Sequence, residues 1–167
     1  IACGMIIKDD AEYDVLKRCL DSVALYVDGI YITATQKPHE KLEALARQYG
    51  ANIDLRPAEF NYIVTKEEIK WLRKYLGYKP DLKVGDTIFL FDRARNANLD
   101  FIADEYDWLF WIDADDVLLN GPGLRVSADS AFVNGYEAVF LNYLYQVEFD
   151  GEGKIKDVII QHLRERL

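Results

Sequence analysis

Three carboxylates fall within four residues, at Asp113, Asp115 and Asp116, directly after the unbroken apolar run Trp108-Leu109-Phe110-Trp111-Ile112. A short apolar run of this kind reads as a strand buried on both faces, as in the middle of a parallel sheet. In open α/β sheets the ligand site lies just beyond the carboxyl ends of such strands. Carboxylates gathered there repel one another and lose solvation, so they require a compensating cation. Oxygen ligands suit Mg²⁺ or Mn²⁺, and Mg²⁺ is commonly held between one or two carboxylates and a substrate phosphate. The plainer alternative is a polar turn in which Asp caps the next helix, but capping uses one Asp and three stand here.

The elements that must position these residues are legible in the hydrophobic pattern. Residues 3–7 read as a short strand followed by the polar Lys8-Asp9-Asp10. A helix is predicted over residues 12–26, with Val15, Leu16, Cys19, Leu20 and Val23 on one face. Asp28-Gly29 turns the chain into a second strand over 30–33. Pro38 suits the first turn of a second helix, whose stripe of Leu42, Leu45, Ala46 and Tyr49 ends at Gly50. Residues 51–55 read as a third strand. This β-α-β-α-β alternation predicts a parallel sheet.

Residues 61–91 break that rhythm and read as a helical insertion. Thr65-Lys66-Glu67-Glu68 fits a capping box, and Ile69, Leu72, Tyr75 and Leu76 carry an amphipathic helix to Gly77. The loop Lys79-Pro80-Asp81 and the apolar stretch 87–91 follow. A helix over 92–106, packed by Ala94, Ala97, Phe101 and Ile102, feeds the apolar run before the carboxylates. Beyond them Asn120-Gly121-Pro122-Gly123 reads as a loop. Residues 138–149 and 155–163 read as an antiparallel hairpin around Asp150-Gly151-Glu152-Gly153. The expected architecture is α/β: one domain over residues 1–167, a three-layer α/β/α sandwich with a mostly parallel central sheet and a C-terminal antiparallel hairpin.

A formal net charge of −9 argues against a nucleic-acid or anionic-membrane footprint, so phosphate chemistry here would need a metal or a few placed Arg and Lys. Cys3 and Cys19 form no metal-ligand spacing and read as free buried thiols, which suits a reducing, cytoplasmic setting. No apolar run approaches membrane-spanning length. The chain opens at Ile1 and stops at Leu167, which suggests a piece of something longer.

Five segments carry a resemblance in their order and spacing: Met5-Ile6-Ile7-Lys8-Asp9-Asp10, Arg18-Cys19-Leu20-Asp21-Ser22-Val23, Asp28-Gly29-Ile30-Tyr31-Ile32-Thr33, Ala94-Arg95-Asn96-Ala97 and Asp113-Ala114-Asp115-Asp116. Together they resemble the opening strand, first helix, second strand, ARN-x-A helix start and DXD motif of family 2 glycosyltransferases, over residues 3–60 and 91–120. The resemblance implies a GT-A fold binding a UDP- or GDP-type nucleotide-diphospho-sugar. It also implies sugar transfer to an acceptor hydroxyl, with inversion, assisted by Mn²⁺ or Mg²⁺. Asp115 matches the metal-binding second Asp of the motif, and Asp113 matches the first, which contacts the ribose or the metal. Ala114, Arg95 and Asn96 match positions near the nucleotide. A guanidinium near a helix start beside an acidic site would also offset charge and meet phosphate oxygens. Thr33 stands where the family usually has a base-reading Asp, and as a nucleotide-binding candidate its hydroxyl could still hydrogen-bond the base. No general base matches after Leu119, where His162 and Glu165 are too generic, so the base is expected beyond Leu167.

Two other readings come from the same residues. Asp113 to Leu118 also fits the DxDx[TV] motif of haloacid-dehalogenase-like phosphatases, with Asp113 as nucleophile and Asp115 as general acid. That motif normally opens its domain, whereas here 112 residues precede it and 49 follow. Sugar-activating nucleotidyltransferases share the fold but need an early Gly-rich basic loop that is missing after Ile6. From a different class, a non-catalytic domain binding a sugar nucleotide or a protein partner would need the same surface without a base.

Overall fold

The computed structural model describes residues 1–75, 77, 81–152 and 154–165, and for Gln146, His162, Arg164 and Glu165 the backbone alone. Leu76, Lys79, Pro80 and Gly153, and the side chains of His162 and Glu165, therefore lie outside the described residues. The chain alternates strand and helix as expected through its first third. β1 (Ala2–Ile7), α1 (Tyr13–Val23), β2 (Gly29–Ala34), α2 (Glu40–Gln48) and β3 (Asn52–Leu55) follow in order. All three strands are parallel, and the sheet runs β3-β2-β1-β6, with β6 at Leu109–Trp111. Pro38 falls ahead of α2, outside its first turn.

β1 is the pivot because it is hydrogen-bonded on both edges and covered on both faces. Cys3, Met5 and Ile7 point into a core with Leu16, Cys19, Leu20 and Val23 of α1 and Leu42, Leu45 and Ala46 of α2. On the opposite face Gly4 lies under α4 (Phe91–Phe101), where an added Cβ would stand 2.6 Å from Asn98 Oδ1 and 3.1 Å from Ile102 Cδ1. Only a glycine admits a helix that close. Helices thus cover both faces of the parallel sheet, as its two-sided burial requires.

The apolar run before the carboxylates is β6, but it is not a middle strand. It pairs with β1 alone among the described residues and stands last in the sheet order. Its side chains are nonetheless covered on both faces, with Phe110 on one and Trp111 on the other at 2 % and 9 % exposure. An apolar run reports what packs on a strand's faces, and that is independent of how many strands flank it.

Four boundaries or elements differ from the sequence reading. α1 begins after a short 3-10 turn at Asp10–Glu12 and stops at Val23. α4 ends at Phe101, because Ile102 turns to extended backbone and packs back toward Gly4. The Asn120-Gly121-Pro122-Gly123 loop is instead the start of a 14-residue helix, α5 (Gly121–Asn134). Asn120 caps it by accepting from Gly123 N at 3.1 Å, Pro122 sits in its first turn, and Gly135 closes it with φ 71°. Its buried stripe of Leu124, Ala128 and Ala131 is short-chained, which hides the periodicity. The 61–91 segment is a helix, α3 (Lys66–Tyr75), flanked by two short strands, β4 (Asn61–Ile63) and β5 (Thr87–Phe89), paired antiparallel. The C-terminal hairpin is present as β7 (Phe140–Phe149) and β8 (Ile155–Glu165), in a separate two-stranded sheet. Among the described residues no helix is long and apolar enough to cross a membrane.

α5 is tied to the loop after α1 through Arg125, whose two terminal nitrogens donate to Asp28 at 2.9 and 2.5 Å. That guanidinium, helped by the Ile1 ammonium, lowers the Asp28 carboxyl from 3.8 to about 2. A carboxylate depressed on folding stabilises fully above its unfolded value, and that stability is lost as pH falls from about 4 toward 2. Because Asp28 is half exposed, the pair contributes no more than about 1 kcal/mol. Arg125→Leu should flatten the stability–pH slope between about pH 4 and 2 while leaving the neutral-pH fold intact, read by urea unfolding across that range. An unchanged slope would detach the pair from acid stability.

Candidate active site

The carboxylates occupy a tight turn at the carboxyl end of β6, with Asp116 N donating to Asp113 O at 2.9 Å. Ile112 and Ala114 belong to the core on the α1 side, so the alternation of the extended chain sends Asp113 to the α4 side with Trp111. Asp113 and Asp116 are half-buried and Asp115 is exposed. α1 holds the turn from beneath. Arg18 Nη2 donates to Asp115 O at 3.3 Å, and Cys19 Sγ lies 3.9 Å from Asp113 O. Ser22 Oγ donates to Cys19 O at 2.7 Å and accepts from Leu118 N at 3.0 Å. From the hairpin, Tyr143 OH donates to Asp116 Oδ1 at 2.8 Å. The Asp115 carboxylate makes no hydrogen bond or ion pair among the described residues.

Arg95 reaches the same end of the sheet from the first half of α4. Its guanidinium lies 4.6 Å from the Trp111 ring centroid and 5.3 Å from that of Phe91. At an exposed site such stacking is worth about 0.5–1 kcal/mol. It leaves the in-plane N–H donors free to meet an anion. The ion pairs found among the described residues do not include Arg95, so its guanidinium is held by the two rings and not by a salt bridge to the Asp cluster.

Three other expected site residues sit differently. Asn96 is exposed, with no hydrogen bond to the carboxylate turn among the described residues. Ala114 turns its methyl into the core at 7 % exposure, so only its backbone faces the turn's surface. Thr33 is fully buried, and its hydroxyl accepts from Asn98 Nδ2 at 3.0 Å. That hydrogen bond, under a covering helix, removes Thr33 as a reader of a nucleotide base.

Asn98 itself was not anticipated. It is fully buried and also donates from Nδ2 to Tyr31 O at 3.1 Å, so one side chain staples α4 to β2. Its Oδ1 has no hydrogen-bond partner and abuts Gly4. The signal was there: Asn98 stands four residues after Ala94, on the buried stripe of the helix. Asp9 and Asp10 after β1 are likewise structural. Asp9 accepts from Ala11 N, and Asp10 accepts from Lys41 N and Leu42 N at the start of α2.

The electrostatics match a crowded anionic turn. Burial raises the Cys19 thiol to about 12, and Asp116, Asp115 and Asp113 add to the rise. Burial likewise pushes the Cys3 thiol well up. Among the described residues no three His, Cys, Asp or Glu side chains are grouped to hold a metal ion by themselves. Mg²⁺-type sites seldom need such a cage, since one or two carboxylates and substrate phosphates suffice. The all-oxygen pair Asp113 and Asp115 fits that donor chemistry. Compared with protein-family models, with curated proteins and with solved structures, the chain matches none.

Asn98→Leu should cost about 1–3 kcal/mol, because it strands the Tyr31 carbonyl and the Thr33 hydroxyl in a dry interior. Urea unfolding at neutral pH measures this, and a neutral result would mean that water replaces the amide. Neither thiol should react with iodoacetamide in the native chain near pH ~8, since the reactive species is the thiolate. Rapid native labelling of Cys19, by mass spectrometry, would contradict its burial.

Proposed function

We propose that this chain is the donor-binding domain of a metal-dependent glycosyltransferase of the family 2 type, with a GT-A-like fold. The reading rests on one observation above the rest. A turn of three carboxylates follows a parallel strand that pairs with β1, with an aromatic-stacked guanidinium at the same end of the sheet. Carboxyl ends of parallel strands are where open α/β sheets bind ligands. The five sequence segments that resemble the family supply β1, α1, β2, α4 and this turn. In this reading the base reader at Thr33 is given up, and the choice between UDP and GDP rests on other groups.

In this reading Asp113 and Asp115 would hold Mn²⁺ or Mg²⁺. When bound, the cation would neutralise charge on the donor diphosphate. Arg95 adds a fixed positive group for phosphate oxygens, and stacking on Trp111 and Phe91 spares it the entropy of being ordered on binding. Arg18 and Ser22, through the backbone of the turn, keep the carboxylates in place. Displacement at the anomeric carbon then needs a group to take the acceptor hydroxyl proton. Asp116, oriented by Tyr143, is the carboxylate nearest in sequence to the proposed ligands.

Calorimetric titration with UDP or GDP in the presence of Mn²⁺ tests the reading. Wild type should bind, and Asp115→Asn should lose the metal-dependent part while keeping its circular dichroism spectrum. Arg95→Ala should weaken nucleotide binding by about 1–3 kcal/mol if it makes a charge-assisted hydrogen bond. Equal affinity in wild type and Asp115→Asn would sink the assignment. Binding without turnover of any UDP- or GDP-sugar, by this chain and by longer forms, would favour a non-catalytic sugar-nucleotide domain.

A further inference from the structure

The net charge of −9 conceals one basic groove. It is open, holds about 680 Å³, and runs between α3 and residues 82–84 of the loop that follows. Lys66, Lys70, Arg73, Lys74 and Lys83 line it, and no carboxylate does among the described residues. The cations share a side because Lys66, Lys70 and Lys74 are four residues apart, with Arg73 three after Lys70 on the same face of α3. None of the five is in an ion pair among the described residues. The rest of the lining is apolar: Ile69, Leu82 and Val84. All five cations are exposed, whereas Ile69 is buried and Leu82 half-buried, so the groove has a charged rim and an apolar floor.

Both walls are fixed from behind. Thr65 and Glu68 cap α3 reciprocally, with Thr65 N donating to Glu68 Oε2 at 2.8 Å and Glu68 N to Thr65 Oγ1 at 3.4 Å. The returning loop is pinned to the residue before that cap. Gly85 N donates to Val64 O at 2.9 Å, and Val64 N donates to Asp86 O at 2.8 Å. The Asp86 carboxylate accepts from Lys83 N at 2.7 Å. The carboxylates of Glu68 and Asp86 thus serve the insertion's own backbone and leave the rim cations to an outside anion.

Length and floor together narrow that anion. The rim extends about 12 Å from Lys66 to Lys74, at about 1.5 Å per helical residue. A lone phosphate is too small to span it and makes no use of the floor. Compact ligands sit in concave pockets that bury most of their surface, and this groove is open. Single-stranded nucleic acid calls for rings on which bases stack, and no aromatic residue lines the groove among the described residues. An extended polypeptide of alternating acidic and apolar residues suits both rim and floor. Its side chains point alternately to opposite faces, so the apolar ones descend to Ile69, Leu82 and Val84 while the acidic ones stay at the rim. Same-face residues recur about every 6.8 Å along a strand, close to the rise of about 6 Å between Lys66, Lys70 and Lys74.

We propose that the groove between α3 and residues 82–84 binds an extended acidic segment of a partner protein, its carboxylates on the rim cations and its apolar side chains on the floor. No residue of the carboxylate turn takes part, so the proposal is independent of the transferase reading. The acidic remainder of the chain does not forbid it, since charges beyond about 8–10 Å are largely screened at physiological salt.

The test is fluorescence anisotropy of the 167-residue chain with the labelled peptide Glu-Leu-Asp-Ile-Glu-Val-Asp at about 0.15 M salt, with neither nucleotide nor metal added. The peptide should bind saturably. Its counterpart with serine at every apolar position should bind about threefold more weakly or worse, because it gives nothing to the floor. Lys70→Glu with Arg73→Glu should weaken the alternating peptide by about tenfold or more. Val84→Ser should weaken the alternating peptide and leave the serine peptide unchanged. These three positions are exposed, and circular dichroism checks that the variants fold. Absence of saturable binding, or equal binding by the charge-reversed variant, would overturn the proposal. Serine peptide or inorganic tripolyphosphate binding as tightly as the alternating peptide would equally overturn it, in favour of a small polyanion that ignores the floor.

Discussion

The close approach of α4 to β1 at Gly4 is the contact on which the rest depends. A parallel strand at the centre of a sheet must be covered on both faces, and here Gly4 contributes no side chain, so the Asn98 side chain of α4 packs directly on the strand's backbone. That approach brings Asn98 near enough to β2 to donate to Tyr31 O and Thr33 Oγ1. It also fixes the rotation of α4 about its axis. Arg95, one turn earlier on the same helix, is then delivered over Trp111 at the carboxyl end of the sheet. A Cβ at position 4 would stand 2.6 Å from Asn98 Oδ1, so the amide that ties α4 to β2 would have to shift.

From the other face, α1 does the matching work for the carboxylates. Leu16, Cys19, Leu20 and Val23 bury into the sheet, and that same packing turns Arg18 and Ser22 toward the loop after β6. Their hydrogen bonds go to backbone groups of the turn rather than to its carboxylates. Of the three carboxylates, α1 therefore engages none directly, while the backbone that carries them is held at three points. The cost is a high local density of negative charge, which adds to burial in raising the Cys19 thiol beneath it. A concentration of like charge close to the surface is tolerable only where solvent or a cation compensates it.

Charge is also separated along the molecule. The acidic turn belongs to the parallel sheet, whereas the unneutralised cations belong to the β4-α3-β5 insertion. An overall negative charge is a sum, and a sum says little about any one surface within a screening length. Whatever anion the protein meets, the insertion and the carboxylate turn offer it opposite fields.

Much of the architecture was legible in the residues themselves. The β-α-β-α-β order, the buried faces of α1 and α2, the capping box at Thr65, the hairpin and the placement of Asp113 at a strand end all follow from periodicities and end signals that act within a few residues. Helix α5 escaped because Gly-Pro-Gly reads as a turn, and because an Ala-rich stripe has little hydrophobic contrast. What local signals could not decide is which side chains meet across the chain. Thr33 looks like an exposed strand-end residue until α4 covers it. Asn98 looks like a polar surface position until the glycine opposite lets it in. β6 looks central because its faces are apolar, yet its hydrogen-bonding neighbours are set by strands far away in the sequence. The sequence by itself determined the elements and the chemistry each one carries, because secondary structure and burial are read from nearest neighbours along the chain. Only the tertiary structure decided which of those groups share one end of the sheet, because that depends on contacts between residues dozens of positions apart.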